Sequence, residues 1–357
     1  LKAVIFAAGT GKRLRPLTSH RPKHLLTVAG KAVIVHVLEA LAEAGIKQVG
    51  VTVGYFSELI QESVAAHSGG LEVTFIRQEK QLGTGHALAE CRNYLRNEDQ
   101  FVVAYGDVML TGQATKSLLD FTRSSRLDGA ILAVESGAPS SSGVVVFRDG
   151  LLENILEKPQ DIVGPVNSGL YVLPAASLEA TESLRLSPRG EYELTDILNL
   201  LARSGRRIGV VKDKGEWWFD VGRPADYLRA NMFYLRKNLG NALVLPRFLR
   251  AGSSLLLKGP CLIGRDVSLS QDVAVIGPTV ISSRVSLGAH TTVEASVLLE
   301  DVKVGSGVKL SHAVVGENAE LGDHVQVKGR GPFPRLVVAP GAKIPSSTVL
   351  EAGTVFE

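Results

Sequence analysis

The chain has 357 residues, a formal net charge of +3 and two cysteines. That length predicts two domains of roughly 100–200 residues each, and so slight a charge, with Arg123, Arg126, Arg206 and Arg207 scattered rather than striped, argues against a nucleic-acid partner. No run approaches the roughly 18 continuous apolar residues of a membrane span, and Cys91 and Cys261 lie far apart without metal-ligand spacing, which fits a reduced, cytoplasmic protein.

Leu1 to Phe6 lack the apolar region of a signal peptide and read as a buried strand running into a glycine turn. Short apolar runs then alternate with helical patterns up to about Lys237. A helix is predicted over 33–44, with Val33, Val37, Leu38 and Leu41 on one side and Gly45 closing it. Strands follow at 49–53, 73–76 and 101–104, and helices at 58–66 and 85–95. This order implies an α/β domain, Rossmann-like, with a mostly parallel sheet. Ligands of such sheets bind beyond the carboxyl ends of the strands, so the loops after Phe6, Ile76 and Ala104 should share one crevice.

The rhythm changes after about Leu243. Aliphatic residues recur every six positions, at Ile263, Leu269, Val275, Ile281, Leu287 and Val293. Four places after each stands a small or β-branched residue, from Val267 to Val297, and the pattern runs on with two five-residue steps to Leu321. Neither a helix nor a simple strand has a period of six; a hexapeptide-repeat β-helix has, one hexad per flat face and three faces per coil. The expectation is therefore an α/β domain over 1–238 and a left-handed parallel β-helix over 239–357. Leu239 to Pro260 reads as the lead-in. The tail from Gly329, with Pro332, Pro334, Pro340 and Pro345, reads as irregular, with Val337 to Ile344 a candidate further coil.

The first loop is Ala7-Ala8-Gly9-Thr10-Gly11-Lys12-Arg13-Leu14-Arg15-Pro16-Leu17-Thr18, followed by Arg21-Pro22-Lys23. Glycines let backbone N–H groups approach phosphate oxygens, and Arg13, Arg15 and Lys23 can neutralise a triphosphate. The loop is not a dinucleotide fingerprint, because Leu14 stands where a third glycine should be. It is not a P-loop either, because Gly9 is too near Gly11-Lys12 and neither Ser nor Thr follows Lys12. Taken alone, the Gly-x-Gly is equally well a tight turn with exposed basic residues. Tyr105-Gly106-Asp107 ends an apolar strand, and a carboxylate there is well placed to hold a hard cation such as Mg²⁺, which takes one or two carboxylates plus phosphates and waters.

The longer string Gly-x-Gly-x-Arg-Leu-x-Pro-Leu-Thr, then Pro-Lys-x-Leu-Leu, resembles the signature of the sugar nucleotidyltransferase family. The resemblance implies that Ala7, Ala8, Gly9 and Gly11 wrap a nucleoside triphosphate, that Arg13 contacts the leaving pyrophosphate and that Lys23 sits on the phosphates. The family usually continues Gly-Lys-Pro; here Gly30-Lys31-Ala32 lacks the proline, which bears on loop stiffness rather than chemistry. Gln78-Glu79-Lys80-Gln81-Leu82-Gly83-Thr84-Gly85-His86-Ala87 resembles the base-reading loop of uridylyltransferases acting on N-acetylglucosamine 1-phosphate. It would put Gln78, Gly83 and Thr84 at the nucleotide, where a Gln amide suits the uracil edge. His86 reads as capping or packing the helix that follows.

Further strings match the family in order. Asp220, in Trp217-Trp218-Phe219-Asp220-Val221-Gly222-Arg223-Pro224, resembles the aspartate that shares the metal with Asp107; a helix cap before Pro224 is the other reading. Gly143 matches the glycine turn against the sugar. Glu157-Lys158-Pro159 matches Glu-Lys-Pro, with Glu157 on sugar hydroxyls and Lys158 on the sugar's phosphate. Asn167-Ser168-Gly169-Leu170-Tyr171 puts Asn167 on a hydroxyl or acetamido group. Glu191 to Asp196 matches Glu-x-x-Leu-Thr-Asp and reads as helix-capping with possible sugar contact.

The implied reaction joins an NTP, UTP foremost, to a sugar 1-phosphate, N-acetylglucosamine 1-phosphate foremost, with release of pyrophosphate. Charge neutralisation would come from Mg²⁺, Arg13, Lys23 and Lys158, without a general base. Related two-domain enzymes make dTDP-glucose or GDP-mannose. Two other classes stay open: a bifunctional enzyme whose solenoid transfers acetyl groups, and a non-catalytic regulatory homologue. Against the first, His312 is followed by Ala313-Val314-Val315-Gly316 rather than Tyr-x-Gly-Asp, so His290, His312 and His324 read as solenoid corners. The solenoid's expected role is assembly of a homo-oligomer, and a fragment ending near Asn238 is expected to keep the chemistry.

Overall fold

In the computed structural model the chain forms two compact units. One comprises Leu1–Thr10 and Ala32–Asp220, the other Gly11–Lys31 and Val221–Glu357. The structure describes residues 1–135, 142–157, 159 and 162–357. The division follows contacts rather than a single cut at 238/239: the loop 11–31 and the segment 221–238 group with the coils.

The first unit is built on nine strands: β1 (Ala3–Phe6), β2 (Gln48–Val53), β3 (Glu72–Arg77), β4 (Gln100–Tyr105), β5 (Gly129–Val134), β6 (Gly143–Arg148), β7 (Leu151–Glu157), β8 (Val166–Pro174) and β9 (Ile208–Asp213). Their order in the sheet is β3-β2-β1-β4-β8-β5-β9-β7-β6. The first four are parallel, as are β5 and β9. β8 runs antiparallel between β4 and β5, and β6–β7 is an antiparallel hairpin. Its helices are α1 (Val33–Glu43), α2 (Ser57–Ala66), α3 (Thr84–Glu90), α4 (Arg92–Leu95), α5 (Gly112–Ser124), α6 (Ala176–Ala180) and α7 (Leu194–Arg203).

The predicted helical face of α1 is buried, and its chain reverses at Gly45. The single helix expected over 85–95 is two, because the turn at Cys91 interrupts it. One face of the sheet packs Val4, Phe6, Phe101, Val103, Ile131 and Tyr171 against Leu88 and Leu95 of α3–α4 and Leu194, Ile197, Leu198 and Leu201 of α7.

The second unit carries α8 (Pro224–Leu239), opened by proline at its first turn and closed at Gly240. Beyond it, three parallel sheets of seven, six and six strands wind as successive coils from Leu243 to Phe356, a parallel β-helix consistent with the left-handed hexapeptide type. Coils advance by 18 residues (Cys261 to Thr279) or by 17 where the five-residue steps fall (Ser286 to Lys303). Every residue of the six-period series from Ile263 to Leu321 lies in one apolar core. Where Thr replaces Val in the second series, the hydroxyl finds a carbonyl: Thr291 Oγ1 donates to Gly305 O at 2.8 Å. The lead-in is itself a coil, and the winding continues through Ile344 to Phe356. Irregularity is confined to one corner: the register moves 23 residues, from Glu320 to Lys343, around the Gly329–Arg335 stretch.

Candidate active site

Because β3, β2, β1 and β4 are parallel neighbours, the segments following them leave from one edge of the sheet. Ala7 N donates to Thr52 Oγ1 at 3.1 Å, Gln78 N to Val53 O at 2.8 Å and Gly106 N to Phe6 O at 3.0 Å. Ala8 O and Gln81 Nε2 both lie against Gly54. The three loops expected to share a crevice are thus tied at their roots. Ala7 and Ala8 are buried and Gly9 is exposed.

Asp107 follows β4, and Asp220 stands in the segment that crosses it. Val108 and Asp220 form an isolated antiparallel bridge, and Met109 N donates to Phe219 O at 2.9 Å. The two carboxylates therefore sit on adjacent backbones, both half-buried. The N-cap position of α8 is Arg223, whose own side chain makes no capping bond. The donor chemistry of two carboxylates suits Mg²⁺, which fills the rest of its octahedron with waters and phosphate oxygens.

The three residues expected at the sugar converge. Gly143 and Glu157 are cross-strand partners in the β6–β7 hairpin. A Cβ on Gly143 would lie 3.3 Å from Glu157 Oε1 and 3.7 Å from Asn167 Cβ. Asn167 opens a register shift in β8, its Oδ1 accepting Gly169 N at 3.0 Å. The next residue links this trio to the carboxylates: Trp218 Nε1 donates to Ser168 O at 2.9 Å, two positions before Asp220. Gly169 packs its backbone on the Tyr105 ring, and Tyr105 lies 5.8 Å, ring to ring, from Tyr171. Burial pushes both phenols well above their ordinary pKa, so both stay neutral.

Thr195, inside the Glu191–Asp196 string, and Arg189, outside every motif, support this site. Thr195 Oγ1, in the first turn of α7, donates to Glu157 Oε1 at 2.9 Å. Arg189 reaches Glu157 Oε2 at 3.4 Å and Glu193 Oε1 at 2.7 Å. Burial works against the Arg189 charge, but Glu193 and Glu157 outweigh it and hold the pKa above its ordinary value. The string read as helix-capping does not cap with its own side chains: the N-cap Glu193 makes no such bond. Thr84 does it from α3, its Oγ1 accepting Leu194 N at 2.9 Å.

Gln78 is buried. Its Nε2 donates to Gly83 O at 3.2 Å and meets His86 Nδ1 at 3.0 Å, so His86 orients the amide. Gly83 adopts φ +105°, and a Cβ there would lie 2.5 Å from Tyr192 O. Gly85 N donates to that same carbonyl, and Tyr192 N to Leu82 O. The end of this loop, 82–85, is in this way bound to 192–194.

Arg13 and Lys23 belong to the second unit. Gly11 opens the tight turn Lys12–Leu14, and Thr18 Oγ1 donates to Gly11 O at 2.9 Å, which fixes the loop's shape. Arg13 is exposed and Lys23 half-buried. Lys158 lies outside the described residues. His290, His312 and His324 stand at solenoid corners with φ between +53° and +58°.

Two carboxylates thus stand at the carboxyl edge of an α/β sheet, and Gly143, Glu157 and Asn167 lie together nearby, a layout in keeping with an enzyme whose substrates carry phosphates. The nucleotidyl transferase family model matches residues 2–237, and the GMPPB C-terminal domain model matches residues 257–357. The chain is 32% identical to glucose-1-phosphate thymidylyltransferase of Streptomyces griseus, over 95% of this chain and 97% of that one. It is 30% identical to the bifunctional protein GlmU of Methanococcus vannielii, over 90% of this chain and 79% of that one. The structure of UDP-glucose pyrophosphorylase complexed with UDP-glucose superposes with a TM-score of 0.59 at 21% identity, covering 66% of this chain and 99% of that one; the likeness is one of fold. The chain belongs to the nucleotidyl transferase family, among its sugar-1-phosphate nucleotidyltransferases.

Proposed function

We propose that the protein transfers a nucleotidyl group from UTP to N-acetylglucosamine 1-phosphate and releases pyrophosphate. The observation that carries the reading is the continuous path from the Gly143–Glu157–Asn167 trio, through Ser168 and Trp218, to Asp220 and Asp107. It supports reading the trio as the sugar's hydroxyl contacts and the two carboxylates as the metal pair, joined through hydrogen-bonded neighbours. The sugar phosphate is already an anion, so its oxygen attacks the α-phosphorus without a general base. Glu157 and Asn167 orient the sugar, and Gln78 with Gly83 reads the base. Arg13 and Lys23 take the triphosphate charge, Arg13 that of the leaving pyrophosphate; Lys158 holds the sugar's phosphate. Mg²⁺ held by Asp107 and Asp220 would supply charge stabilisation at the phosphoryl oxygens.

The same reading places the enzyme in the cytoplasm and makes it a homo-oligomer through its solenoid. Gly83 O and His86 Nδ1 take up the Gln78 Nε2, which leaves its Oε1 to accept from a base N–H, a donor that uracil and thymine share. Thymidylyl transfer to glucose 1-phosphate is therefore the second reading, supported by the 32% identical relative; guanylyl transfer to mannose 1-phosphate is the third. The test is pyrophosphate release from each NTP paired with each of several sugar 1-phosphates. The highest kcat/KM is expected for UTP with N-acetylglucosamine 1-phosphate. A preference for dTTP with glucose 1-phosphate would replace the substrate assignment, and no release from any pair would remove the catalytic reading.

A further inference from the structure

The loop that bears Arg13 and Lys23 is fastened to the coils. Arg21 Nη2 meets Glu300 Oε2 and Arg21 Nε meets Glu317 Oε1, each at 3.4 Å. Glu300 and Glu317 hold the same place in two successive 17-residue coils, as the bond from Asn318 N to Glu300 O shows. One guanidinium is thus gripped by a ladder of two carboxylates. Glu317 is buried and its Oε2 has no hydrogen-bond partner, so Arg21 is its compensating charge. Farther along the loop, Tyr227 Oη donates to Thr27 O at 2.9 Å, Ala29 N donates to Asn231 Oδ1 at 2.9 Å, and Gly30 lies against Leu262. The loop is therefore held at both its middle and its end, by a coil pair, by α8 and by a third coil.

We propose that the solenoid is a positioning element for the triphosphate loop, with Arg21, Glu300 and Glu317 as positioning residues that set where Arg13 and Lys23 stand. The inference rests on the proposed role of those two cations. It implies that a fragment ending near Asn238 loses nucleotide handling even when folded, because Glu300, Glu317 and Leu262 go with the coils. The acidic ladder is two isosteric carboxylates, so its charge can be removed with little change of shape.

The experiment uses the full chain and the variants Glu317→Gln, Glu300→Gln and Arg21→Lys. Hydrogen–deuterium exchange of residues 11–31 is followed beside steady-state kinetics with each substrate varied. Glu317→Gln is expected to speed exchange in 11–31 and to raise KM for the NTP about tenfold or more. KM for the sugar 1-phosphate should hold, and so should exchange in the rest of the coils. Arg21→Lys keeps a charge but not the two-pronged grip, and is expected to fall between. Unchanged exchange in 11–31 for both Glu→Gln variants overturns the inference, as does faster exchange with an unchanged NTP KM. Should the wild-type protein release no pyrophosphate from any pair, the functional reading fails, while the exchange arm still decides whether the ladder holds the loop.

Discussion

Val108 and Asp220 face each other as a lone antiparallel bridge between the end of β4 and the segment that precedes α8. That bridge places Asp220 beside Asp107 across about 113 residues of chain. Asp107→Asn and Asp220→Asn keep the shape and remove one charge each. Both are expected to lower kcat by about two orders of magnitude or more, since charge stabilisation by a metal is worth several kcal/mol. Initial rates against Mg²⁺ concentration test this; near-normal turnover of Asp107→Asn at saturating Mg²⁺ would exclude it as a ligand.

Gly83→Ala puts a side chain at φ +105° and 2.5 Å from a backbone carbonyl. Neither burden can be relieved by a rotamer change, so a cost of about 1–3 kcal/mol is expected. Thermal unfolding should report the lost stability, and KM for the NTP should rise while that for the sugar phosphate stays within a factor of about two. Equal changes in both constants would argue that Gly83 serves the fold alone.

Thr195→Val removes the hydroxyl that holds Glu157 and keeps the shape. Losing one hydrogen bond to a charged group costs about 1.5–3 kcal/mol. KM for the sugar 1-phosphate is expected to rise about tenfold or more, with the NTP constant unaltered. Thr195→Ser should restore most of the loss, and a variant with unaltered sugar kinetics would show that Glu157 needs no holding.

Burial raises the Cys261 thiol from 9.0 to about 11, against the smaller opposing effect of backbone bonds near Thr279 and Lys258. A thiol whose pKa is higher folded than unfolded binds its proton more tightly in the native state. Its contribution is therefore undiminished below pH 9 and is lost as pH rises from about 9 to about 11. Urea midpoints measured over that window should fall, and Cys261→Ala should flatten part of the fall. A flat wild-type profile would refute the assignment.

The histidine corners carry no acetyl chemistry on this reading. His312 contacts Ser311 and packs edge-on against Phe333 at 5.7 Å. Incubation with glucosamine 1-phosphate and acetyl-CoA should release no free thiol. Release that His312→Ala abolishes would make the enzyme bifunctional.

The parts of this molecule legible in its sequence are those set by local pattern. The six-residue period placed Ile263 through Leu321 in the core, since each coil repeats the same side-chain environment and leaves a regular trace. Strand and helix alternation gave the parallel half of the sheet. What stayed hidden depends on distant pairing. No local pattern says that β8 inserts antiparallel between β4 and β5, and nothing around Thr84 says that it caps α7, 110 residues on. The motif residues Gly143, Glu157 and Asn167 could be named one at a time, but their convergence needs the β6–β7 hairpin and the shift in β8. Arg21 escaped notice because its partners lie 279 and 296 residues away; the clue was the 17-residue spacing of Glu300 and Glu317.

The cap that Thr84 places on α7 ties two binding events together. Thr84 belongs to the loop assigned to the base, and the helix it caps carries the Thr195 hydroxyl to Glu157, assigned to the sugar. On those assignments, a nucleotide that settles the loop would also settle the helix end that faces the sugar phosphate. Thermodynamic linkage makes the effect mutual: whatever affinity the nucleotide lends to the sugar phosphate, the sugar phosphate returns in equal measure.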